Sequence, residues 1–89
     1  MDTIQSQIEQ LIIILIGRFV NKRLAFININ DDIRNDLALD SIDFKILIVK
    51  IENEFHIFIY DEELTKIRTI SDVVNIVIEK KHPELLVKG

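Results

Sequence analysis

Eighty-nine residues, 48% of them hydrophobic, with no cysteine and a formal charge of −4, bound the chain to one small domain able to fill a core. They exclude a disordered chain, a disulfide scaffold, a thiolate metal site and a thiol nucleophile. The longest purely aliphatic run, Leu11 to Ile16, is too short to span a bilayer, and no basic start leads into an apolar stretch and cleavage site, which points to a cytoplasmic protein.

The charge is uneven along the chain. Residues 1–39 sum to −1 and residues 64–89 to +2, whereas residues 40–63 hold seven acids against Lys45 and Lys50, a local −5. Nucleic acid requires a basic footprint, so it is excluded as a partner. An acidic middle suits either plain solvation or partners with basic docking patches, whose approach it would steer.

Asp2 or Thr3 is placed to cap a first helix, with Gln5 three residues after Asp2 as a weak capping box. Ile4, Ile8, Leu11, Ile12, Leu15 and Phe19 recur at three- and four-residue intervals and so share one helical face. Ile13, Ile14 and Ile16 widen that face; either the following loop covers them or they form a sticky flank. Gly17 reads as a tolerated small residue costing about 1 kcal/mol against alanine, and Asn21 as a left-handed stop.

Residues 21–39 are polar and irregular, with Asn28, Asn30, Asp31 and Asp32 as turn formers. Leu24, Phe26, Ile27, Ile29 and Ile33 are expected to pin this long connection across the helices. The alternation from Ala25 to Ile29 would suit a strand, but no partner strand presents itself, so a loop with a turn or two of helix fits better.

A second helix is expected over Ser41 to Phe55, capped by Asp40 with Asp43 as a further carboxylate in its first turn. It has two apolar faces: Phe44, Leu47, Ile48, Ile51 and Phe55 suit a core, while Ile42, Ile46 and Val49 form another. Either the helix is buried on most sides or the second face waits for a partner. Asp61-Glu62-Glu63 opens a short third helix. Thr69 and Asp72 make a capping box for a last helix whose inner side is Ile70, Val73, Val74, Val77 and Ile78; Lys80 and Lys81 favour its end, and Pro83 stops it. The fold class is all-α, a small bundle of three main helices and one short one with a long first loop, forming a single domain over residues 1–89. Its ordered part is expected over about residues 3–82, with a loose tail from Glu84.

Read alone, Asp40-Ser41-Ile42-Asp43 is a capped helix start. Its setting is more specific: Asp36-Leu37-Ala38-Leu39-Asp40-Ser41-Ile42-Asp43, then Phe55 closing the helix, Ile59, Asp61-Glu62, and Lys66-Ile67 followed by Thr69-Ile70. In this order the chain resembles the acyl carrier and peptidyl carrier protein family. The resemblance implies a 4′-phosphopantetheine arm on Ser41, installed from coenzyme A by a phosphopantetheinyl transferase. It implies a stand-alone, monomeric carrier, not an enzyme, that holds acyl or aminoacyl cargo as thioesters for a loading ligase and downstream synthases or transferases. Asp40, Ile42, Asp43, Ile46 and Val49 are the expected docking residues.

Three positions depart from the family pattern. Ala38 stands for a glycine and Tyr60 for a proline, while Ile46, beside Lys45, stands for a glutamate common in fatty-acid carriers. The last leans toward polyketide or nonribosomal peptide assembly; a general fatty-acid carrier and a D-alanyl carrier are nearer rivals, and a plain helical interaction module is the rival from another class. No third ligand accompanies His56 and His82, so a metal site is not expected, and no nucleophile elbow surrounds Ser41, which disfavours a hydrolase.

Overall fold

A computed structural model describes residues 3–86. Helices α1 (Ile4–Val20), α2 (Ser41–Phe55) and α4 (Ile70–Lys81) pack around one core, with a single turn, α3 (Asp61–Leu64), between α2 and α4. Short 3-10 turns occupy Leu24–Phe26 and Pro83–Leu86. The all-α expectation holds, and α2 has the expected ends.

Each helix is bounded by local chemistry. Thr3 caps α1, its hydroxyl accepting from the Ser6 N–H at 3.0 Å; Asp2 lies outside the described residues. Asn21 ends α1 in the left-handed region at φ 54, as expected, and His56 does the same for α2 at φ 56. Thr69 and Asp72 form the reciprocal box at the start of α4. Asp72 accepts there from the backbone N–H groups of Thr69 and Arg68, at 3.0 and 2.8 Å. Those bonds, Thr69's first, hold its carboxyl below the ordinary aspartate range against some opposing burial. The α4 helix ends at Lys81, and Pro83 opens a further 3-10 turn over Pro83–Leu86; residues 87–89, the rest of the tail expected to be loose, lie outside the described part.

The core takes Ile70, Val73, Val74, Val77 and Ile78 from α4 and Phe44, Leu47, Ile48, Ile51 and Phe55 from α2, as the spacing required. On α1 the face differs from the expected one. Ile8, Ile12 and Ile16 are buried, while Ile4 and Leu11 are nearly half exposed. From Leu11 to Ile16 the helix is apolar on every side, so no polar stripe fixes its rotation there and its neighbours decide. Gly17 is more than tolerated: a Cβ there would lie 2.9 Å from Leu24 Cδ2 and 3.1 Å from the Lys22 carbonyl oxygen. The loop folds back against this missing side chain.

That loop contains no strand. Ile27 and Ile33 are buried as expected and Ile29 partly so, but Leu24 is only half covered, against Gly17, and Phe26 faces outward at 66% exposure. Its second half is fastened to the start of α4. The Ile33 N–H donates to the Arg68 carbonyl at 2.9 Å, and the Ile70 and Ser71 N–H groups donate to the carbonyls of Asp31 and Ile29 at 3.2 and 2.8 Å. Two of the amides that a helix start leaves without intrahelical partners are thus satisfied by the loop. On the far side, Glu52 accepts from the Ile59 N–H at 2.8 Å, and Lys80 reaches Glu63 at 2.8 Å. The Lys80 bond, aided by the Tyr60 N–H, holds the Glu63 carboxyl below the usual glutamate range.

Candidate functional site

The site is the first turn of α2 and the four residues that lead into it. Asp40 is in an extended conformation before the helix, and its carboxylate accepts from the Asp43 N–H at 2.8 Å, while its carbonyl accepts from the Phe44 N–H at 2.9 Å. This is the expected cap. Leu39 before the cap and Phe44 in the helix are both buried, the pairing that fixes the angle at which a chain enters a helix.

Ser41 therefore occupies the first helical position with its side chain exposed. Among the described residues neither its backbone N–H nor that of Ile42 has a protein acceptor. Two free amides at the positive end of a helix, beside an open hydroxyl, fit a phosphate ester on Oγ. Asp40 and Asp43 carry like charge beside such a group, which makes them better suited to a basic or metal-bearing partner than to the phosphate. No histidine accompanies the hydroxyl: His56, which caps the same helix, is at its other end, roughly 22 Å away at 1.5 Å per residue.

The approach segment is anchored from behind. Leu37 and Leu39 are buried, each worth roughly 1.5–3 kcal/mol, and the Leu39 N–H donates to the Ile33 carbonyl at 3.4 Å. Between them Ala38 turns through φ 57, a left-handed conformation in which the methyl group costs about 1–2 kcal/mol. The position reads as a small change from glycine in sequence, but the backbone retains the conformation that glycine prefers. Asp32 stiffens the same loop, accepting from the N–H groups of Arg34 and Asn35 at 3.0 and 2.9 Å.

Ile42, Ile46 and Val49 are 70%, 46% and 51% exposed, at spacings of four and three along one side of α2. Of the two readings open to this second apolar face, burial is ruled out. Asp40 is exposed and Asp43 half-buried, so all five expected docking residues lie on or beside that open side. Sequence reasoning missed Arg34, whose guanidinium lies 5.9 Å from the centre of the Phe44 ring and brings a cation to this acidic turn. No periodicity marks it, because it sits in an irregular turn. Among the described residues no cluster of His, Cys, Asp or Glu could hold a metal ion, and no helix is long and apolar enough to cross a membrane.

The family described as "Phosphopantetheine attachment site" matches residues 10–77. A protein of Rickettsia typhi named acyl carrier protein is 39% identical over 76 residues, covering 85% of this chain and 88% of its own. The acyl carrier protein of Rickettsia bellii is 36% identical over the same length and shares. Among solved structures, the acyl carrier protein of Thermotoga maritima superposes with a TM-score of 0.72 at 30% identity, over 91% of this chain and 93% of that one. The acyl carrier protein of Enterococcus faecalis gives the same TM-score at 23% identity, over 88% and 99%, a likeness of fold.

Proposed function

The chain belongs to the acyl carrier protein family, whose members bear a covalent 4′-phosphopantetheine arm and are carriers rather than catalysts; from that premise we propose that Ser41 bears the arm here. The observation that carries the reading is the exposed Ser41 hydroxyl in front of two free backbone amides. Bound there, the arm supplies a thiol on which acyl or aminoacyl cargo is held as a thioester.

The chain's own residues position and present. Asp40 fixes the first turn so that Ser41 Oγ stays outside the core, and the Leu37 and Leu39 side chains keep the turn from drifting. With no histidine beside it, Ser41 must lose its proton to a group on a phosphopantetheinyl transferase as its oxygen attacks the pantetheine-bearing phosphorus of coenzyme A; the phosphoanhydride bond breaks and adenosine 3′,5′-bisphosphate leaves. Asp40 and Asp43 meet basic groups of that enzyme, and Ile42, Ile46 and Val49 give a docking stripe of modest apolar area. A small interface suits a carrier that must leave each enzyme for the next. A tethered arm then replaces diffusion by a high local concentration of cargo.

We read the cargo as that of polyketide or nonribosomal peptide assembly, because Ile46 makes the docking side more apolar than a glutamate would. General fatty-acid service is the second reading, favoured by relatives named simply acyl carrier protein. The first test is intact mass after incubation with coenzyme A and a broad-range transferase: one pantetheine phosphate is gained by the native chain and none by Ser41→Ala. Equal gain in that variant rejects Ser41. Loading of the armed protein by a fatty-acyl ligase as against aminoacyl or polyketide loading enzymes then separates the cargo readings.

A further inference from the structure

A second surface, away from Ser41, has the chemistry of a binding site. Between α1 and α2 lies a groove of about 670 Å³ whose apolar wall is Leu11, Ile14, Leu15 and Phe19, with Arg18 and Lys50 among its charged lining. Asn53 and Glu54 line its α2 side. It adjoins a second depression past Gly17, which Lys22, Arg23 and Leu24 line. Together the two follow α1 from Leu11 to Asn21, roughly 15 Å, the length of nearly three helical turns laid alongside.

The charge here runs against that of the molecule. The chain has 15 acids to 11 bases, yet the groove and its continuation have Arg18, Lys22, Arg23 and Lys50 to Glu54 alone. None of these four cations is in an ion pair among the described residues, while Lys80 and Arg68 elsewhere are. We propose that this groove is the docking site for an acidic amphipathic helix of a partner protein. Its leucine-type side chains would enter between Leu15 and Phe19, and its flanking carboxylates would meet Arg18 and Lys50 on one side and Lys22 and Arg23 beyond. The concave shape favours a helix over an anionic bilayer: Leu15 and Phe19 are half-buried in the groove, where a flat surface does not reach them.

The position gives such a partner a use. Asn53 prolongs the row of Ile42, Ile46 and Val49 by one more helical step, so the groove begins where the exposed stripe ends. Lys50 lies nine residues beyond Ser41, about 13 Å along α2. A partner seated there would hold the protein and leave the hydroxyl open. The inference does not rest on Ser41 bearing the arm.

The test uses the full chain and a fluorescein-labelled synthetic peptide of about five helical turns, with leucines at the core positions of a heptad and glutamates flanking them. Anisotropy is expected to rise on binding, amide shifts to concentrate at Leu15, Arg18 and Lys50, and a matched peptide with lysine for glutamate to stay free. Arg18→Glu with Lys50→Glu, and separately Lys22→Glu with Arg23→Glu on the turn after α1, are each expected to weaken binding at least about tenfold while circular dichroism shows the helices intact, the melt falling only by the small cost of acids at the end of α1. Ser41→Ala is expected to bind as the native chain does, which keeps this result distinct from attachment of the arm. No binding of the acidic peptide, full affinity in both folded double variants, or tighter capture by phosphatidylglycerol vesicles than by the peptide would overturn the proposal.

Discussion

Helices α2 and α4 begin with the same device, an oxygen-bearing side chain capping the third amide, and both carry rows of aliphatic residues. In α4 the start is consumed internally. Two of its first amides bond loop carbonyls, its capping box is closed by Asp72, and its five main aliphatic residues are buried. In α2 one row is buried and the other is left in solvent, and the first two amides have no protein acceptor among the described residues. The comparison separates the cost of folding from the capacity to bind. Burying Ile70 and its neighbours stabilises the bundle, whereas Ile42, Ile46 and Val49 add nothing to the core and persist as surface.

The contrast breaks most visibly under core substitution. Leu47→Ala, at a wholly buried position of α2, is expected to cost about 2–5 kcal/mol in urea unfolding. Ile46→Glu, one residue earlier, is expected to change stability by less than about 0.5 kcal/mol while weakening transferase and synthase docking. Unfolding of the Ile46 variant would place that stripe in the core and remove the difference between the two helices.

Next in size is Gly17→Ala. Helix propensity alone favours the alanine by about 1 kcal/mol, but the contacts with Leu24 and the Lys22 carbonyl predict a net loss of about 1–2 kcal/mol instead. A stabilised variant would show that the loop yields freely. Ala38→Gly should act in the opposite direction, raising stability by on the order of 1 kcal/mol as the left-handed strain at φ 57 is relieved.

Acid sharpens the comparison least but most directly. The folded carboxyls of Asp72 and Glu63 sit below their ordinary ranges, so each adds stability above its ordinary value, and that contribution is lost as pH falls through the folded one. Stability is therefore expected to be level near neutrality and to decline on acidification, with a shallower decline in Asp72→Asn. Melts across that acid range measure it; an unchanged slope would detach Asp72 from the stability of α4.

Legibility in the sequence followed how local the determining physics was. The ends of α2 and the five residues it buries were readable because Asp40 caps it, its five inner apolar residues recur at helical spacing, and Phe55 closes it. The box of Thr69 and Asp72 was readable for the same reason. The rotation of α1 was not, since Ile4, Leu11 and Ile16 are chemically alike and only the packing of α2, α4 and the loop distinguishes them. Leu24 and Phe26 were placed inside on hydrophobicity alone, in a stretch with no period to test the assignment. Ser41 stood out by its neighbours in sequence; the cation over Phe44 and the left-handed Ala38 had no local signature.

The bonds from Ile33 to Arg68, from Ile70 to Asp31 and from Ser71 to Ile29 join segments nearly forty positions apart. For anyone grafting pieces between relatives, residues 28–37 and 68–72 behave as one cassette. A loop imported without its matching helix start would lose the Asp32–Arg68 pair and the register in which these backbone groups meet, leaving the residues leading to Ser41 less firmly seated. Chimaeras that exchange both halves together should keep their architecture where single exchanges lose it.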